Sequence, residues 1–581
     1  MTPPAPAPRR TPGWLGAAVV AVVALAASLA GLRNGWVQDD VVLILQNARM
    51  HGLANWQVLV TSSFWPPPWS EDLYRPLTAL LLAAQYDLGG GEPLVFRAVS
   101  YLLHAAASVA VLALAARLVP PLPALAAALL FAAHPVHVEA VALAVGQNEL
   151  LVGLLAALMT AHYLHCRRAA GALRYRDWAL LGAGYVAASL AKETGLVLPG
   201  LLLAAEVFLV PGPVRPRARQ VAPGLTFLAG LGVLVIAVRT AVLSGDLVGS
   251  FTADALAGQS AGGRALTMLR VVPHWARLLL WPADLQADYS PEELVPSTGF
   301  GGAEALGLAL VAGAVAATLL ARRRAPVVAF GFAWLAVGLL PVSNVLVPTG
   351  ILLAERTLFL PSIGVVLALA GSMAALPAGM LAARPARWLL AAAGTALVVA
   401  GVGHSAARHR VWRDERTFTV QGVADAPRSF RMQMAYGEMQ FLDGRPADGI
   451  ASYQRAIRYA PPHQGWRVRN DLARRFWEEG NAAAAVEQLE ASLRLAPDQE
   501  ESRNYLILGY LNLGRYADAA READAALARG FSRDLFAGLR ALADTAIQER
   551  APAGSIRIRV VRPEVPGNLS SRGPLAPPPR R

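Results

Sequence analysis

The chain has almost no cysteine and almost no lysine. Cys166 is the only cysteine in 581 residues, so no intrachain disulfide forms and no zinc cluster can be built from thiolates. Lys192 is the only lysine among 52 basic residues. The net charge of +12 is therefore carried by arginine. With the abundant alanine, that bias reads as the mark of a GC-rich genome, and no nucleic-acid partner is expected. Charge of either sign is scarce: 16% of residues are charged against 55% apolar, and the mean hydropathy is +0.41. That excludes an ordinary soluble protein of this size. The first apolar run lacks a convincing small-residue cleavage site, so it reads as a retained span and not as a signal peptide.

What is present is a series of Ala/Leu/Val runs over 14–405, a mixed polar region over 406–550, and a Pro/Gly/Arg-rich tail over 551–581 that is expected to be disordered. Arg9-Arg10 marks 1–13 as a cytoplasmic tail. Eleven crossings are predicted, at 14–32, 93–119, 124–133, 150–165, 178–191, 196–210, 222–243, 303–320, 327–340, 357–376 and 388–402. Arginines cluster in the alternate loops assigned to the cytoplasm, Arg322-Arg323-Arg324 most strongly. A long outer loop, 33–92, holds a short apolar stretch at 76–88 that suits the membrane interface. The run 266–281 carries Arg270, Pro273, His274 and Arg277 and reads as a re-entrant or interfacial helix. An odd number of crossings puts everything after His404 outside.

The polar region repeats. Gly444, Gly480 and Gly514 fall 36 and 34 residues apart. Tyr436, Leu472 and Leu506 stand eight residues before them, and Ala456, Ser492 and Ala526 twelve after. A period near 34 residues with this pattern is that of tetratricopeptide repeats, each a helix pair stacked on the next. The fold class is therefore all-α: a polytopic membrane bundle followed by an α-solenoid.

Ionisable groups are expensive near a membrane and usually face an interior or a wet cavity. Here they gather in the outer loops: Asp39, Asp40, Arg75, His134, His137, Glu139, Lys192, Glu193, Glu355 and Arg356. Asp39 and Asp40 follow the first span directly. A helix cap or surface turn accounts for one such acid more easily than for two. A reaction needing a general base would use an acid here. His134 and His137 can share a helical face, with interhelical hydrogen bonding as the plainer reading. Glu139 would point elsewhere, and the spacing alone makes no metal site. Lys192 with Glu193, and Glu355 with Arg356, can each be a local pair. Arginine also grips a phosphate through two parallel donors. Cys166 receives no role. No residue is assigned to a metal, and nothing demands a cofactor, although a divalent cation could assist.

Five stretches in this order resemble a known family: Asp39-Asp40 after the first span; Tyr74-Arg75-Pro76-Leu77; His134-Pro-Val-His-Val-Glu-Ala-Val141 with Gly146 and Glu149–Leu151; Lys192-Glu193-Thr194-Gly195; and Ala354-Glu-Arg-Thr-Leu-Phe-Leu-Pro-Ser-Ile-Gly364. With the repeats behind them they are similar to the transmembrane-and-tetratricopeptide-repeat (TMTC-like) O-mannosyltransferases, over roughly residues 12–530. The resemblance implies a GT-C glycosyltransferase fold, a lipid-phosphate-linked sugar donor, an active face on the extracytoplasmic side, and an acid of the first outer loop as catalytic candidate. The chain departs from the long eukaryotic members in having about three repeats. Its bacterial-looking composition implies a polyprenyl phosphate donor and an inner-membrane location.

The expectation is a transferase that moves a hexose from polyprenyl phosphate to a periplasmic hydroxyl, on a protein bound by the repeats. Asp40 is the preferred base, because Asp39 is placed to cap a helix beginning near Val41. Arg356 is the chief phosphate ligand, with Arg75 and Lys192 behind it. The rivals are a membrane-anchored repeat scaffold and a lipid-linked sugar transporter. The scaffold leaves the outer-face polar residues unexplained. The transporter calls for midplane charges or duplicated spans. The topology has a direct check: a reporter active only in the periplasm should work when fused after Leu442. A signal from a cytoplasmic reporter alone at that site would overturn the predicted arrangement.

Overall fold

The computed structural model describes residues 13–67, 73–243, 252–289, 291–377 and 384–556. The predicted cytoplasmic tail at 1–13, apart from Gly13, and the predicted disordered tail from residue 557 onward lie outside the described residues. The described residues are helical, with no strand among them. The chain divides into two compact units. One takes the residues up to Ala287 and from Pro296 to Phe418; the other takes Asp288–Val295 and the chain from Thr419.

The first unit is built from α1 (Trp14–Ser28), α2 (Trp56–Thr61), α3 (Pro76–Gly89), α4 (Pro93–Ala116), α5 (Pro121–Ala132), α6 (Val138–Ala142), α7 (Gln147–Ala170), α8 (Tyr175–Ala191), α9 (Leu198–Leu209), α10 (Val214–Val242), α11 (Ala261–Leu280), α12 (Gly302–Arg324), α13 (Pro326–Leu339), α14 (Phe359–Ala374) and α15 (Arg384–Val411). Several begin with proline at the first helical position: Pro76, Pro93, Pro121 and Pro326. Its fixed φ suits a helix start, and its missing N–H would lack an intrahelical partner there anyway. Gly90, at φ +59°, closes α3 before α4 begins.

Among the described residues, seven helices are long and apolar enough to cross a membrane. The count is eight if the pair Pro121–Ala132 and Pro135–Ala142, bent by 46°, forms one broken span. The chain is a multi-pass membrane protein. The predicted crossings at 178–191, 196–210 and 327–340 correspond to α8, α9 and α13, which have 17, 12 and 14 residues. At 1.5 Å per residue each falls short of a hydrocarbon core about 30 Å thick. Seven or eight of the eleven predicted crossings thus correspond to helices of spanning length among the described residues. The final predicted span also runs longer than expected: α15 continues through Arg408-His409-Arg410 to Val411.

The interior of this unit is formed by α4, α5, α7 and α14. Two thirds of the apolar window of α14 is buried, 67%, against 6% for 388–411 and 11% for α12. The outer helices thus present apolar faces that a bilayer would cover. α11 is one continuous helix through Pro273, not an interrupted one. It buries Thr267, Met268, Val271, Trp275, Leu278 and Leu279 on one face, the spacing of an amphipathic helix. Pro273 has no N–H for the carbonyl of Leu269, four residues back. α12 approaches that freed carbonyl so closely that a Cβ on Gly307 would lie 1.8 Å from its oxygen.

The second unit contains three helical hairpins and a closing helix, after α16 (Glu415–Asp425), inside which the division between units falls. The hairpins are α17 (Phe430–Leu442) with α18 (Pro446–Tyr459), α19 (Gly465–Glu478) with α20 (Ala482–Leu495), and α21 (Glu500–Asn512) with α22 (Tyr516–Ala528); α23 (Arg533–Gln548) follows. The repeat glycines Gly444, Gly480 and Gly514 have φ of +71°, +76° and +72°. Each lets the next residue bond back across the helix end: Arg445 N–H to Gln440 O, Asn481 to Phe476, Arg515 to Tyr510, at 2.8–2.9 Å. This is the Schellman closure that glycine permits. Leu472, Leu506, Ala456, Ser492 and Ala526 are buried as their spacing predicts, while Tyr436 is only half-buried. The segment Asp288–Val295, expected within the membrane domain, belongs to this unit instead. Asp288 accepts from Ser429 Oγ and pairs with Arg431 at 3.1 Å, and Glu293 accepts from Arg428 N–H. These carboxylates sit at the positive N-terminal end of α17.

Candidate functional site

The site begins where the chain leaves α1. Gln38 takes a left-handed backbone, φ +55°, uncommon for a residue with a Cβ. That turn precedes the acidic pair, and the two carboxylates part company. Asp40 is fully buried. Its Oδ2 accepts from Arg97 Nη1 at 3.0 Å and from Ala144 N–H at 2.9 Å, and its Oδ1 accepts from Val145 N–H at 3.0 Å. Burial pushes this carboxyl's pKa up, while Arg97 and the two amide donors act the other way. Arg97, also buried, donates to Gly35 O at 2.7 Å and lies 5.8 Å from the centre of the Trp36 ring. Asp40 occupies the cap position of the helical turn Val41–Leu45 without a side-chain cap bond.

Asp39 faces the other way. Its side chain keeps 27% exposure, and its Oδ2 stands 3.6 Å from Arg356 Nη2. Arg356 is fixed at its other edge by Glu139: the backbone N–H reaches Oε2 at 2.9 Å and Nη1 reaches Oε1 at 2.8 Å. The Arg356 side chain keeps 23% exposure. The acid preferred from the sequence as base, Asp40, is thus the buried one, and Asp39 is the accessible one. Asp40 has both oxygens committed and is a poor base, whereas Asp39 is accessible beside a held cation.

Two further ion pairs complete the cluster. Arg75 grips Glu193 through Nε at 3.1 Å and Nη2 at 2.9 Å. Lys192 Nζ pairs with Glu149 Oε1. Burial acts to raise the pKa of Glu193, and Arg75 outweighs it, holding the carboxyl below its usual range. Burial lowers the pKa of Lys192; Glu149 opposes that shift, and Arg75 and Arg356 reinforce it. Lys192 thus feels both arginines, so residues from four separate sequence stretches converge. Lys192 pairs with Glu149, and Arg356 pairs with Glu139 and Asp39, so both cations reach across to other stretches of the chain. Glu355 accepts from Gln286 N–H at 2.5 Å.

His134 and His137 make hydrogen bonds apart from these ion pairs. His134 Nε2 is 3.1 Å from Leu279 O, and His137 Nε2 is 2.9 Å from Ser362 Oγ. Their rings are neighbours, 5.5 Å apart. Glu139 diverges from His137 as helix geometry requires, the one bonding Arg356 and the other Ser362. Arg97 was missed as a site-forming residue. Its signal was present: an arginine inside a predicted span needs a buried partner. Glu149 stood only within a family motif, with no role given to it, and the amides Gln85 and Gln147, which exchange two hydrogen bonds of 2.8 and 2.9 Å, were passed over.

Fold and cluster together define a multi-pass helical membrane protein with a set of paired charged residues at the helix ends and a helical-repeat array. The chain matches the family described as dolichyl-phosphate-mannose-protein mannosyltransferase over residues 73–241, and tetratricopeptide repeats over 470–554. It is 30% identical over 362 residues to the protein O-mannosyl-transferase TMTC3 of Mus musculus, covering 57% of this chain and 39% of that protein. It is 27% identical over 500 residues to Tmtc3 of Drosophila melanogaster, covering 73% and 53%. With TMTC4 of Homo sapiens it shares 28% over 397 residues, 59% and 53%. No solved structure matches it. The matches bear out the TMTC-like assignment drawn from the motifs. The chain spans about two fifths of the first of these relatives, TMTC3 of Mus musculus.

The buried pair makes a stability prediction. Asp40→Ala strands Arg97 without a counter-charge, which costs about 3–5 kcal/mol. Asp39→Ala should cost less than about 1 kcal/mol, as for an exposed pair. Thermal unfolding of the two purified variants in detergent reads the contrast; equal loss of stability would contradict it.

Proposed function

We propose that this protein is a membrane glycosyltransferase that moves a hexose, mannose in the reading its relatives favour, from a polyprenyl-phosphate carrier to a hydroxyl on an extracytoplasmic protein. The observation that carries the proposal is the accessible Asp39 carboxylate 3.6 Å from Arg356, with Glu139 holding the arginine from behind. A base beside a cation is what a single displacement at a sugar phosphate needs.

Asp39 takes the proton of the acceptor hydroxyl as its oxygen attacks C1. The C1–O bond to phosphate breaks, and the electron pair stays on the departing polyprenyl phosphate. Attack opposite the leaving group inverts the anomeric centre. Arg356 meets the growing phosphate charge with charge-assisted hydrogen bonds. Arg75 and Lys192, held by Glu193 and Glu149, add positive potential without having to reorganise. The repeats supply the concave surface for the acceptor protein. Glu139 orients Arg356, and Asp40 holds the loop that carries Asp39.

The test is transfer from a purified polyprenyl-phosphate mannose in detergent, normalised to folded protein. Asp39→Asn should lower turnover by about 10²–10⁴, and Arg356→Ala by about 10²–10³, with melting temperatures little changed for Asp39→Asn. Wild-type turnover by both variants would contradict the proposal and favour the scaffold reading.

A further inference from the structure

The outer-face cluster leaves one group of chemistry-bearing side chains unused. His162 and Cys166 stand four residues apart on α7, hence on the same helical face. Asp177 approaches them from the first turn of α8. Cys166 Sγ lies 3.6 Å from His162 Nε2, and Asp177 Oδ1 lies 3.5 Å from the same nitrogen. The ligand atoms of all three fall within 4.8 Å of one another. Tetrahedral zinc, with bonds of about 2.3 Å to sulfur and about 2.0–2.1 Å to nitrogen and oxygen, places its ligand atoms roughly 3.5 Å apart. The two short separations match that edge length.

Asp177 has a second commitment that suits a ligand. Its Oδ2 accepts from Arg174 N–H at 2.9 Å, which leaves Oδ1 turned toward His162. A backbone donor on the far oxygen is the supporting contact that orients a ligating carboxylate. All three residues are partly accessible, with the His162 and Asp177 side chains at 29% and 14% exposure, so an ion and a fourth, water ligand can enter. Thiolate and carboxylate together neutralise a divalent ion. The centre therefore adds no net positive charge beside Arg174 and Arg176.

We propose that His162, Cys166 and Asp177 bind a zinc-class divalent cation that ties α7 to α8. The site is separate from the sugar-transfer cluster. Glu149, which pairs with Lys192, and His162 are 13 residues apart on one helix, about 20 Å along its axis. The ion sits at the arginine-rich end of α7, which the charge rule assigns to the cytoplasm, and takes no part in transfer. Its role is a clip between two helices whose joining turn, Gly171–Arg174, is short.

The experiment uses full-length protein in detergent, stripped with a chelator and then titrated with cobalt(II) and zinc. Wild type should take up one tight equivalent. The cobalt form should show a thiolate-to-metal charge-transfer band and tetrahedral d–d bands, and zinc should raise the melting temperature. Cys166→Ala and His162→Ala should each lose the band and weaken zinc binding by more than the roughly 10–100-fold that loss of a supporting contact costs. Absence of the band in folded wild type, or equal zinc uptake by Cys166→Ala, would overturn the proposal and leave the three residues as a hydrogen-bonded cluster. The wild-type spectrum decides the matter even if a variant fails to fold.

Discussion

The arrangement of the charged cluster depends on one buried ion pair, Asp40 with Arg97. Two charges at this depth are tolerated because both oxygens of Asp40 and both terminal nitrogens of Arg97 are hydrogen-bonded, although Arg97 Nε is buried without a partner. Asp40 accepts from three donors, two of them backbone N–H groups of the stretch after α6. The interaction therefore joins three parts of the chain: the exit from α1, the start of α4, and the bend between α6 and α7. With that bend fixed, α6 has a defined position, and with it Glu139. Arg356 is anchored to Glu139 through both backbone and side chain. The position of the cation beside Asp39 thus traces back to the acid next to it in sequence.

The remaining charges follow the same logic of cross-stretch pairing. Arg75 reaches Glu193 across 118 residues, and Lys192 reaches Glu149 across 43. Each pair joins helix ends that a bilayer would otherwise leave free to slide, and each holds a cation in place before any ligand arrives. Preorganised charge of this kind is where electrostatic catalysis draws its strength, since nothing need reorient as the leaving group develops charge. The strained Gln38 turn is part of the same economy: it separates two neighbouring carboxylates into one buried anchor and one exposed group.

Much of this was legible in the sequence, and the limits have physical causes. Helical repeats announce themselves because one glycine per turn must take a left-handed φ, and Gly444, Gly480 and Gly514 do. Polar residues at the ends of apolar runs are costly enough to be conspicuous, so Arg75, Lys192, Glu139 and Arg356 could be named. Their partners could not. Sequence proximity suggested Lys192 with Glu193 and Glu355 with Arg356, but adjacent side chains on a helical turn diverge, and each found its partner on another element. The split between Asp39 and Asp40 was hidden for the same reason, because it depends on Arg97 and two backbone amides more than fifty residues away. Short helices such as α9 read as spans because composition reports polarity, not where a helix breaks.

The central claim is that Asp39 and Arg356 bracket the bond between sugar and phosphate, with Asp40 behind them as an anchor. It is tested most directly by a cryo-electron microscopy structure of the protein with a non-cleavable polyprenyl phosphonate analogue of the donor. The account predicts a phosphonate oxygen within hydrogen-bonding reach of Arg356, with Asp39 turned toward the open face of C1 and Asp40 still paired with Arg97. A phosphonate bound away from Arg356, or an Asp40 released to face the sugar, would contradict it.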